Sequence, residues 1–190
     1  MSVSRLRLTA TVILATALLT SVAQAKLPQL FGDKPIVDAA REGSLEGVNT
    51  ALIDGASVHT RAADGTPIIV LATAARSLEI VKLLIENGAR PDDKSKDETS
   101  ALTLAAANGD IAIVTYLLEH KADVNEPGAL RETALIKAVR APHNDVVKLL
   151  VEHGANLDDT DASGSTPLEI AERSGWKDTV AILKKKAAGK

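Results

Sequence analysis

Apolar residues recur along the middle of the chain in a spacing that predicts short amphipathic helices. An apolar pair is followed by another pair four residues later, as at Ile80, Val81, Leu84 and Ile85. Residues in this spacing lie on one side of an α-helix, so each such segment has one face to bury. The pattern returns at Ile113, Val114, Leu117 and Leu118, and again at Val146, Val147, Leu150 and Val151.

These segments belong to an internal repeat of 33 residues. Alanine stands at positions 39, 72, 105, 138 and 171, and isoleucine or leucine stands at positions 36, 69, 102, 135 and 168. A third series of alanines occupies positions 56, 89, 122, 155 and 188. A fixed period of this length indicates stacked structural repeats. Residues separated by a multiple of 33 are called equivalent positions below.

Each unit is predicted to contain two helices joined by a tight turn. Gly43, Gly109 and Gly175 stand at the centre of that turn in three units. The repeated alanine lies in the first helix, where a small side chain lets neighbouring helices approach closely. A glycine ends the second helix in most units and is expected to form a left-handed cap. Lys121 stands at this position in the third unit, where it must adopt the same conformation under strain or end the helix differently.

The first and last units depart from the pattern in their second helices. The first has Gly47, Val48, Ala51 and Leu52 at the apolar positions, and the last has Thr179, Val180, Leu183 and Lys184. A terminal repeat has one face in water, so small or polar residues there are typical of caps. Trp176 is interpreted as a packing residue of the last cap rather than as a ligand platform.

The turn motifs resemble those of the ankyrin repeat. They comprise Thr66-Pro67-Ile68, Thr133-Ala134-Leu135, the Asp161-x-x-Gly164-x-Thr166-Pro167-Leu168 run and the glycine–alanine endings. The resemblance covers roughly residues 34–186 and implies an all-α repeat solenoid. This is an ankyrin-like stack of about five 33-residue helix-turn-helix units with short hairpin-like loops. The alternative is a solenoid of the tetratricopeptide type, which has a 34-residue period and different aromatic positions.

Repeat boundaries are expected near 34–63, 64–96, 97–129, 130–162 and 163–190. Local departures from the ankyrin pattern affect the turns. In the second unit Thr66-Pro67 is displaced by one residue against Ala72, which predicts a loop one residue shorter and a longer helix entry. Pro142 replaces the turn glycine in the fourth unit, and residues 96–98 replace the glycine turn in the third.

The amino terminus has the layout of a secretory signal peptide. Arg5 and Arg7 precede a largely apolar stretch, and Ala23-Gln24-Ala25 supplies the small-x-small ending. Residues 1–25 are predicted to be cleaved after Ala25, leaving 26–33 as a lead-in to a repeat domain at 34–190. An uncleaved signal anchor is the alternative. The expected location is the periplasm, with the extracellular medium as the second choice.

Composition and charge narrow the classes of partner. The chain is 45% hydrophobic but 2% aromatic, which predicts an aliphatic core of closely packed helices. With no cysteine, it has no disulfides and no thiolate chemistry. A net charge of −3 does not favour binding to nucleic acid or to an anionic membrane. After cleavage of the signal, no stable membrane insertion is expected, and the protein is expected to be monomeric.

No arrangement of polar residues predicts catalysis. The sequence lacks phosphate-binding glycine loops, the G-x-S-x-G elbow and the H-E-x-x-H zinc motif. His120 and His153 are equivalent, but a shared zinc ion would need further ligands close by, so both are interpreted as polar residues near helix ends. The clustered aspartates lack the spacing of a calcium loop. We expect no enzyme activity, no cofactor and no bound metal.

The resemblance implies a protein-binding role. In ankyrin-like solenoids the loop tips and the exposed side of the first helix form a concave binding face. By position, that face contains Arg41, Glu42, Arg61, Asp64, Lys96, Asp97, Asn108, Leu130, Glu132, Arg140 and Arg173. The predicted function is a periplasmic module that binds one protein partner to stabilise, position or inhibit it. The alternatives are an immunity protein against a delivered toxin enzyme, a secreted host-directed effector, and a small-molecule enzyme.

Overall fold

The computed structural model describes residues 34–188, in which the chain forms ten α-helices and one short 3₁₀ helix. The predicted signal peptide at 1–25 and lead-in at 26–33 lie outside the described residues. The first helices of the five units are α1 (Pro35–Glu42), α3 (Ile68–Ala74), α5 (Ala101–Asn108), α7 (Ala134–Arg140) and α9 (Pro167–Ser174). The second helices are α2 (Leu45–Ile53), α4 (Leu78–Glu86), α6 (Ile111–Glu119), α8 (Asn144–Glu152) and α10 (Lys177–Ala188).

The helices form two layers. Each first helix packs against the first helix of the next unit, and each second helix packs against the next second helix. Within a unit the two helices also pack against each other. No β-strand occurs between residues 34 and 188, where a single isolated bridge joins Arg61 and Pro67. The predicted all-α repeat solenoid is therefore confirmed.

The repeated small and aliphatic residues form the core. The alanines at 39, 72, 105, 138 and 171 are all buried, as are the aliphatic residues at 36, 69, 102 and 135. Leu168, in the last unit, is only partly buried against this core. Both pairs of each central second helix also contribute buried residues. Since aliphatic side chains interlock without polar partners to satisfy, a core of this composition is sufficient for close packing.

Helix ends explain why the units keep one length. All five first helices begin at equivalent positions, and so do all five second helices. Ser100, Thr133 and Thr166 cap first helices by accepting a hydrogen bond from the backbone N–H three residues later. The turn glycines at 43, 109 and 175 have φ between 71° and 75°, which is the left-handed region. These caps satisfy N–H and C=O groups that a helix leaves without partners.

The loop of the second unit corrects the prediction of a length change. The N–H of Ala62 donates to the carbonyl of Thr66, and the equivalent bond forms in the next three units. The loop therefore keeps its length, and the prediction of a shorter loop is wrong. The change is in the cap: Pro67 occupies the position of Ser100 and Thr133, and α3 begins without a side-chain cap.

The polar and aromatic residues of the last unit are more buried than the sequence indicates. Trp176 packs partly buried against the core. Thr179, a polar residue at an apolar position, is fully buried, and its hydroxyl bonds to the side-chain oxygen of Asn144 at 2.7 Å. The polar residue is thus accommodated by a hydrogen bond to the preceding unit rather than by exposure to water.

Lys121 adopts the strained conformation that the sequence allowed as one of two outcomes. Its φ is 65°, whereas Gly154 at the next equivalent position has φ of 89°. A side chain in this region costs about 1–2 kcal/mol, partly offset by the greater flexibility of glycine in the unfolded chain. We expect Lys121→Gly to raise the free energy of unfolding by about 0.5–1 kcal/mol. Urea denaturation measures this change.

The reciprocal substitution is the control for this prediction. A Cβ added at Gly154 would meet no atom within 4 Å, so Gly154→Lys introduces backbone strain without a clash. It is expected to lower stability by a similar amount, about 0.5–1 kcal/mol. If both variants shift the urea midpoint in the same direction, the conformational explanation fails.

Ala105 tests the close approach of the first helices. Its side chain is 0% exposed, in the middle of the stack. Ala105→Leu inserts extra methylene groups into a packed interior and is expected to cost about 1–3 kcal/mol. The matched control is Ala74→Leu, at an exposed position of α3, with an effect of about 0.5 kcal/mol or less. Equal thermal midpoints for Ala105→Leu and wild type would contradict the role of this alanine.

Candidate protein-binding face

Four hairpin turns connect the units and project from the first-helix layer. They are hairpin 1 (62–66), hairpin 2 (95–99), hairpin 3 (128–132) and hairpin 4 (161–165), each closed by a backbone hydrogen bond between its first and last residues. The fourth residue of every hairpin has a positive φ, whether it is Gly65, Glu98, Arg131 or Gly164. The hairpins therefore share the closing hydrogen bond and the left-handed fourth residue, and they differ in their side chains.

Carboxylates hold hairpins 1 and 2 from within. Asp64 accepts a hydrogen bond from the Thr66 N–H at 2.8 Å, and bonds from the Thr66 backbone and side chain lower the pKa of Asp64. Asp97 contacts the hydroxyls of Ser95 and Thr99, and the Ser95 bond contributes most to its lowered pKa. Both predicted site aspartates therefore act as turn-forming residues, although their side chains are exposed.

Basic side chains tie each hairpin region to the next unit. The Arg61 guanidinium donates to the carbonyl of Lys94 at 2.7 Å, and the Lys94 ammonium donates to the carbonyl of Pro127, also at 2.7 Å. These three residues occupy equivalent positions, so the contacts form a ladder along the stack. The stem of Lys96 covers Gly65, where an added Cβ would lie 2.6 Å from Lys96 Cε. Arg61 and Lys96 thus help to fix the geometry of the hairpins.

Hairpin 3 presents an apolar residue at its tip. Leu130 is 70% exposed and has φ of 56°, and the adjacent Arg131 has φ of 60°. Leu130 replaces the turn-forming Asp64 and Asp97 of the earlier hairpins. Its backbone carbonyl accepts a hydrogen bond from the Ala162 N–H at 2.9 Å, which joins hairpin 3 to hairpin 4. The leucine side chain is therefore held outward by a fixed backbone.

Glu132 is buried, contrary to the expectation of an exposed loop residue. Its carboxylate pairs with Lys137 and lies 2.7 Å from Arg140 Nε. Arg140 also reaches the buried carboxylate of Asp161, at 2.5 Å. Removing an ion-pair partner from a buried carboxylate is costly, so this network supports the fold beneath hairpins 3 and 4. The sequence pattern indicates the loop position but not the inward direction of the side chain.

Asp161 is the most strongly bonded carboxylate of this network. It accepts bonds from the Ser163 hydroxyl at 2.6 Å, the Ser163 N–H at 2.8 Å and the Ser165 N–H at 3.0 Å. These bonds, led by the Ser163 hydroxyl, lower the pKa of Asp161 from 3.8 to about 2, and Arg140 adds to the effect. The carboxylate therefore stays ionised and holds hairpin 4 closed.

The exposed side of the first helices varies from unit to unit. Arg41 and Glu42 are exposed in the first unit, and Arg41 lies 3.5 Å from Asp38. In the last unit Arg173 is exposed and donates to the Ser165 hydroxyl at 2.8 Å. In the second and third units the positions equivalent to Arg41 are Ala74 and Ala107, and half-buried Asn108 follows. The middle of this face is thus lined by small side chains between charged ends.

The sequence analysis did not single out two arginines, one exposed beside Leu130 and one that forms an ion pair between units. Arg131 is exposed beside Leu130, at a position that the sequence pattern treats as a turn residue. Arg76 has φ of 56° at the position of the turn glycines, and its Nε donates to the Asp110 carboxylate at 2.8 Å. Its departure from the glycine pattern was the available signal. The second Asp110 oxygen is buried without a hydrogen-bond partner in the described residues.

The histidines do not assemble into a metal site in the described part of the chain. His120 stacks on Tyr116 with 4.0 Å between ring centroids and donates through Nδ1 to the Tyr116 carbonyl at 2.8 Å. No group of three or more His, Cys, Asp and Glu side chains in residues 34–188 is placed to hold a metal ion. None of the helices in this range is long and apolar enough to span a membrane.

The Asp161 carboxylate predicts a specific acid sensitivity. Because the pKa of Asp161 is about 2 in the folded protein, against an ordinary value of 3.8, ionised Asp161 stabilises the fold above pH 3.8. This contribution is lost as the pH falls towards 2. We expect the difference in thermal midpoint between wild type and Asp161→Asn to be full above pH 4 and to shrink below it. Parallel midpoint curves from pH 6 to pH 2 would contradict this assignment.

Comparison with family models identifies the family of this chain. Residues 36–128 match a model described as ankyrin repeats (3 copies), and residues 117–171 match a model described as ankyrin repeats (many copies). No curated protein matches the chain. Ankyrin repeats generally mediate protein–protein interaction, and proteins built from them are typically non-enzymatic binding modules. Since the two matches together run from residue 36 to residue 171, well over half of the sequence, the chain belongs to the ankyrin-repeat family.

Proposed function

We propose that this protein is a non-enzymatic module of the bacterial periplasm that binds one protein partner through its hairpins and first helices. Binding would stabilise, position or inhibit the partner. The proposal is supported by the signal-like sequence at 1–25, the absence of cysteine from the chain and the ankyrin-repeat architecture. The alternative form of this proposal is an immunity protein, which would inhibit a toxin enzyme delivered to the periplasm.

The observation that carries the proposal is the exposed Leu130. A branched residue in the left-handed region costs about 1–2 kcal/mol, and Leu130 recovers little of this by burial because 70% of it is exposed. Residues in strained backbone conformations cluster at binding and active sites. The neighbouring Arg131 adds a residue type that is enriched in protein interfaces. Hairpin 3 is therefore the proposed centre of the binding face.

The small side chains of α3 and α5 provide a second support. Ala74 and Ala107 replace the arginines found at equivalent positions 41, 140 and 173. A partner segment can approach the helix backbone most closely at such small residues. The face thus combines an exposed apolar residue at the tip of hairpin 3 with small side chains on α3 and α5, and charged side chains lie on either side of these two helices.

Binding is tested with a variant that changes this face without breaking the fold. Arg140 is unsuitable because its loss leaves Glu132 and Asp161 without a partner. Leu130→Asp combined with Arg173→Glu alters the surface and keeps that network. The control for Leu130→Asp is Ile53→Asp, which replaces an aliphatic residue by aspartate at a position of α2 that is 77% exposed.

Each protein is used to capture partners from periplasmic extract of the source bacterium, followed by measurement of affinity for the recovered protein. We expect wild type and Ile53→Asp to recover the same partner, and the double variant to bind it at least tenfold more weakly. Equal binding by all three would place the interface elsewhere. Accumulation of the mature protein in the culture medium, with none in the periplasmic fraction, would contradict the proposed location.

A further inference from the structure

A groove lies between the second helices of the last two units, α8 and α10. It has a volume of about 470 Å³, within the roughly 300–1,000 Å³ typical of small-molecule sites. Its walls are formed by Lys148, Val151 and Glu152 of α8 and by Ala181, Ile182, Lys185 and Lys186 of α10. This composition gives an apolar floor with a mainly cationic rim.

The apolar floor depends on a small residue at position 181. Val151 is 4% exposed and Ile182 is half-buried, so both present aliphatic surface at the base of the groove. The positions equivalent to Ala181 in the three preceding units are Lys82, Thr115 and Lys148. Ala181 therefore has a smaller side chain than its equivalents in those units. Ala181 itself lines the groove, where a longer side chain would occupy part of its volume.

The α10 side of the rim is cationic, whereas the equivalent positions of the earlier units carry acidic residues, asparagine or histidine. Lys185 is equivalent to Glu86, Glu119 and Glu152, and Lys186 is equivalent to Asn87, His120 and His153. Neither Lys185 nor Lys186 makes a side-chain hydrogen bond or ion pair in the described residues, whereas Lys148 lies 3.3 Å from Asp145. Glu152 is the one acidic residue of the lining. Two ammonium groups are therefore available to a ligand.

Solubility of the terminal repeat accounts for part of this arrangement. Polar residues on the outward face of a cap keep the end of a solenoid in water. That requirement explains lysines in general, but it does not explain the replacement of a long polar side chain by Ala181 above an aliphatic floor. Size and charge change together at one junction, and both changes favour the same kind of ligand.

We propose that the groove between α8 and α10 binds a small amphiphilic anion. Its alkyl chain would lie on the floor formed by Val151, Ala181 and Ile182, and its anionic head would lie between Lys185 and Lys186. Burial of the chain supplies the apolar contribution, and the paired ammonium groups supply charge complementarity. A free fatty acid and an anionic lipid share this chemistry. The site is separate from the proposed partner-binding face.

The direct test uses dodecanoate below its micelle concentration, with binding measured by isothermal titration calorimetry and backbone amide NMR shifts. Wild type is expected to bind one dodecanoate, with the largest shifts at Val151, Ala181, Ile182 and Lys185. Dodecyltrimethylammonium, which has the same chain and a cationic head, is expected to bind at least tenfold more weakly. Vesicles of phosphatidylglycerol distinguish the sources, since binding to vesicles but not to dodecanoate would assign a lipid surface and overturn the groove proposal.

Two variants separate the contributions of shape and charge. Ala181→Lys restores a residue type of the earlier junctions and is expected to weaken dodecanoate binding at least tenfold by filling the groove. Lys185→Glu with Lys186→Glu is expected to weaken it by a similar factor and to improve binding of the cationic amphiphile. Ala181, Lys185 and Lys186 are all exposed, so these substitutions do not disturb the core.

The control variants carry one substitution of each kind outside the groove. Ala112→Lys lies on the exposed side of α6, and Lys177→Glu lies at the start of α10. Both are expected to bind dodecanoate as wild type does. The proposal is overturned if wild type shows no saturable binding, or if Ala181→Lys binds dodecanoate as tightly as Ala112→Lys. Thermal midpoints of all variants establish that lost binding does not reflect lost folding.

Discussion

The structure depends on the constraint that no unit can bury its two helices alone. Each first helix completes its packing against the first helix of the next unit, so the distance between successive units must stay nearly constant. The buried alanines at 39, 72, 105, 138 and 171 set how closely the first helices approach. Helices that begin at equivalent positions in all five units follow from this requirement, since a change of length in one unit would misalign the packing of its neighbours.

The same constraint makes the hairpins a rigid surface. Arg61 and Lys94 each donate to a carbonyl one unit further on, and Asn125 accepts a hydrogen bond from the Asn156 N–H at 2.8 Å. These bonds join the loop region of each unit to that of the next. A side chain that projects from such a surface, as Leu130 does, has little freedom to relax inward. Its exposure is therefore a property of the stack and not of one loop.

The sequence predicts the features that depend on local residues and on the repeat. The helices and the buried alanine series follow from residue type at a known position, and the left-handed Lys121 is one of the two outcomes that the repeat allowed. Features that depend on contacts between distant residues were not predictable. The inward direction of Glu132 depends on Lys137 and Arg140, and Arg140 in turn meets Asp161 from the next hairpin. The prediction of a shorter loop at Thr66-Pro67 was wrong for a related reason. The sequence shows that these residues are displaced by one position, but it does not show whether the loop length or the helix cap changes as a result.

A repeat protein offers an internal comparison by which function can be separated from folding. A residue that the stack requires should recur at equivalent positions, as the core alanines do, whereas a residue that departs from its equivalents must be explained by something else. Arg76 and Thr179 depart from the pattern but form bonds to neighbouring units, so folding accounts for both. Leu130 departs without burial, and Ala181 and Lys185 depart without a partner in the described residues. Leu130 belongs to a hairpin that precedes a first helix, whereas Ala181 and Lys185 belong to a second helix, so the two proposed sites share no residue.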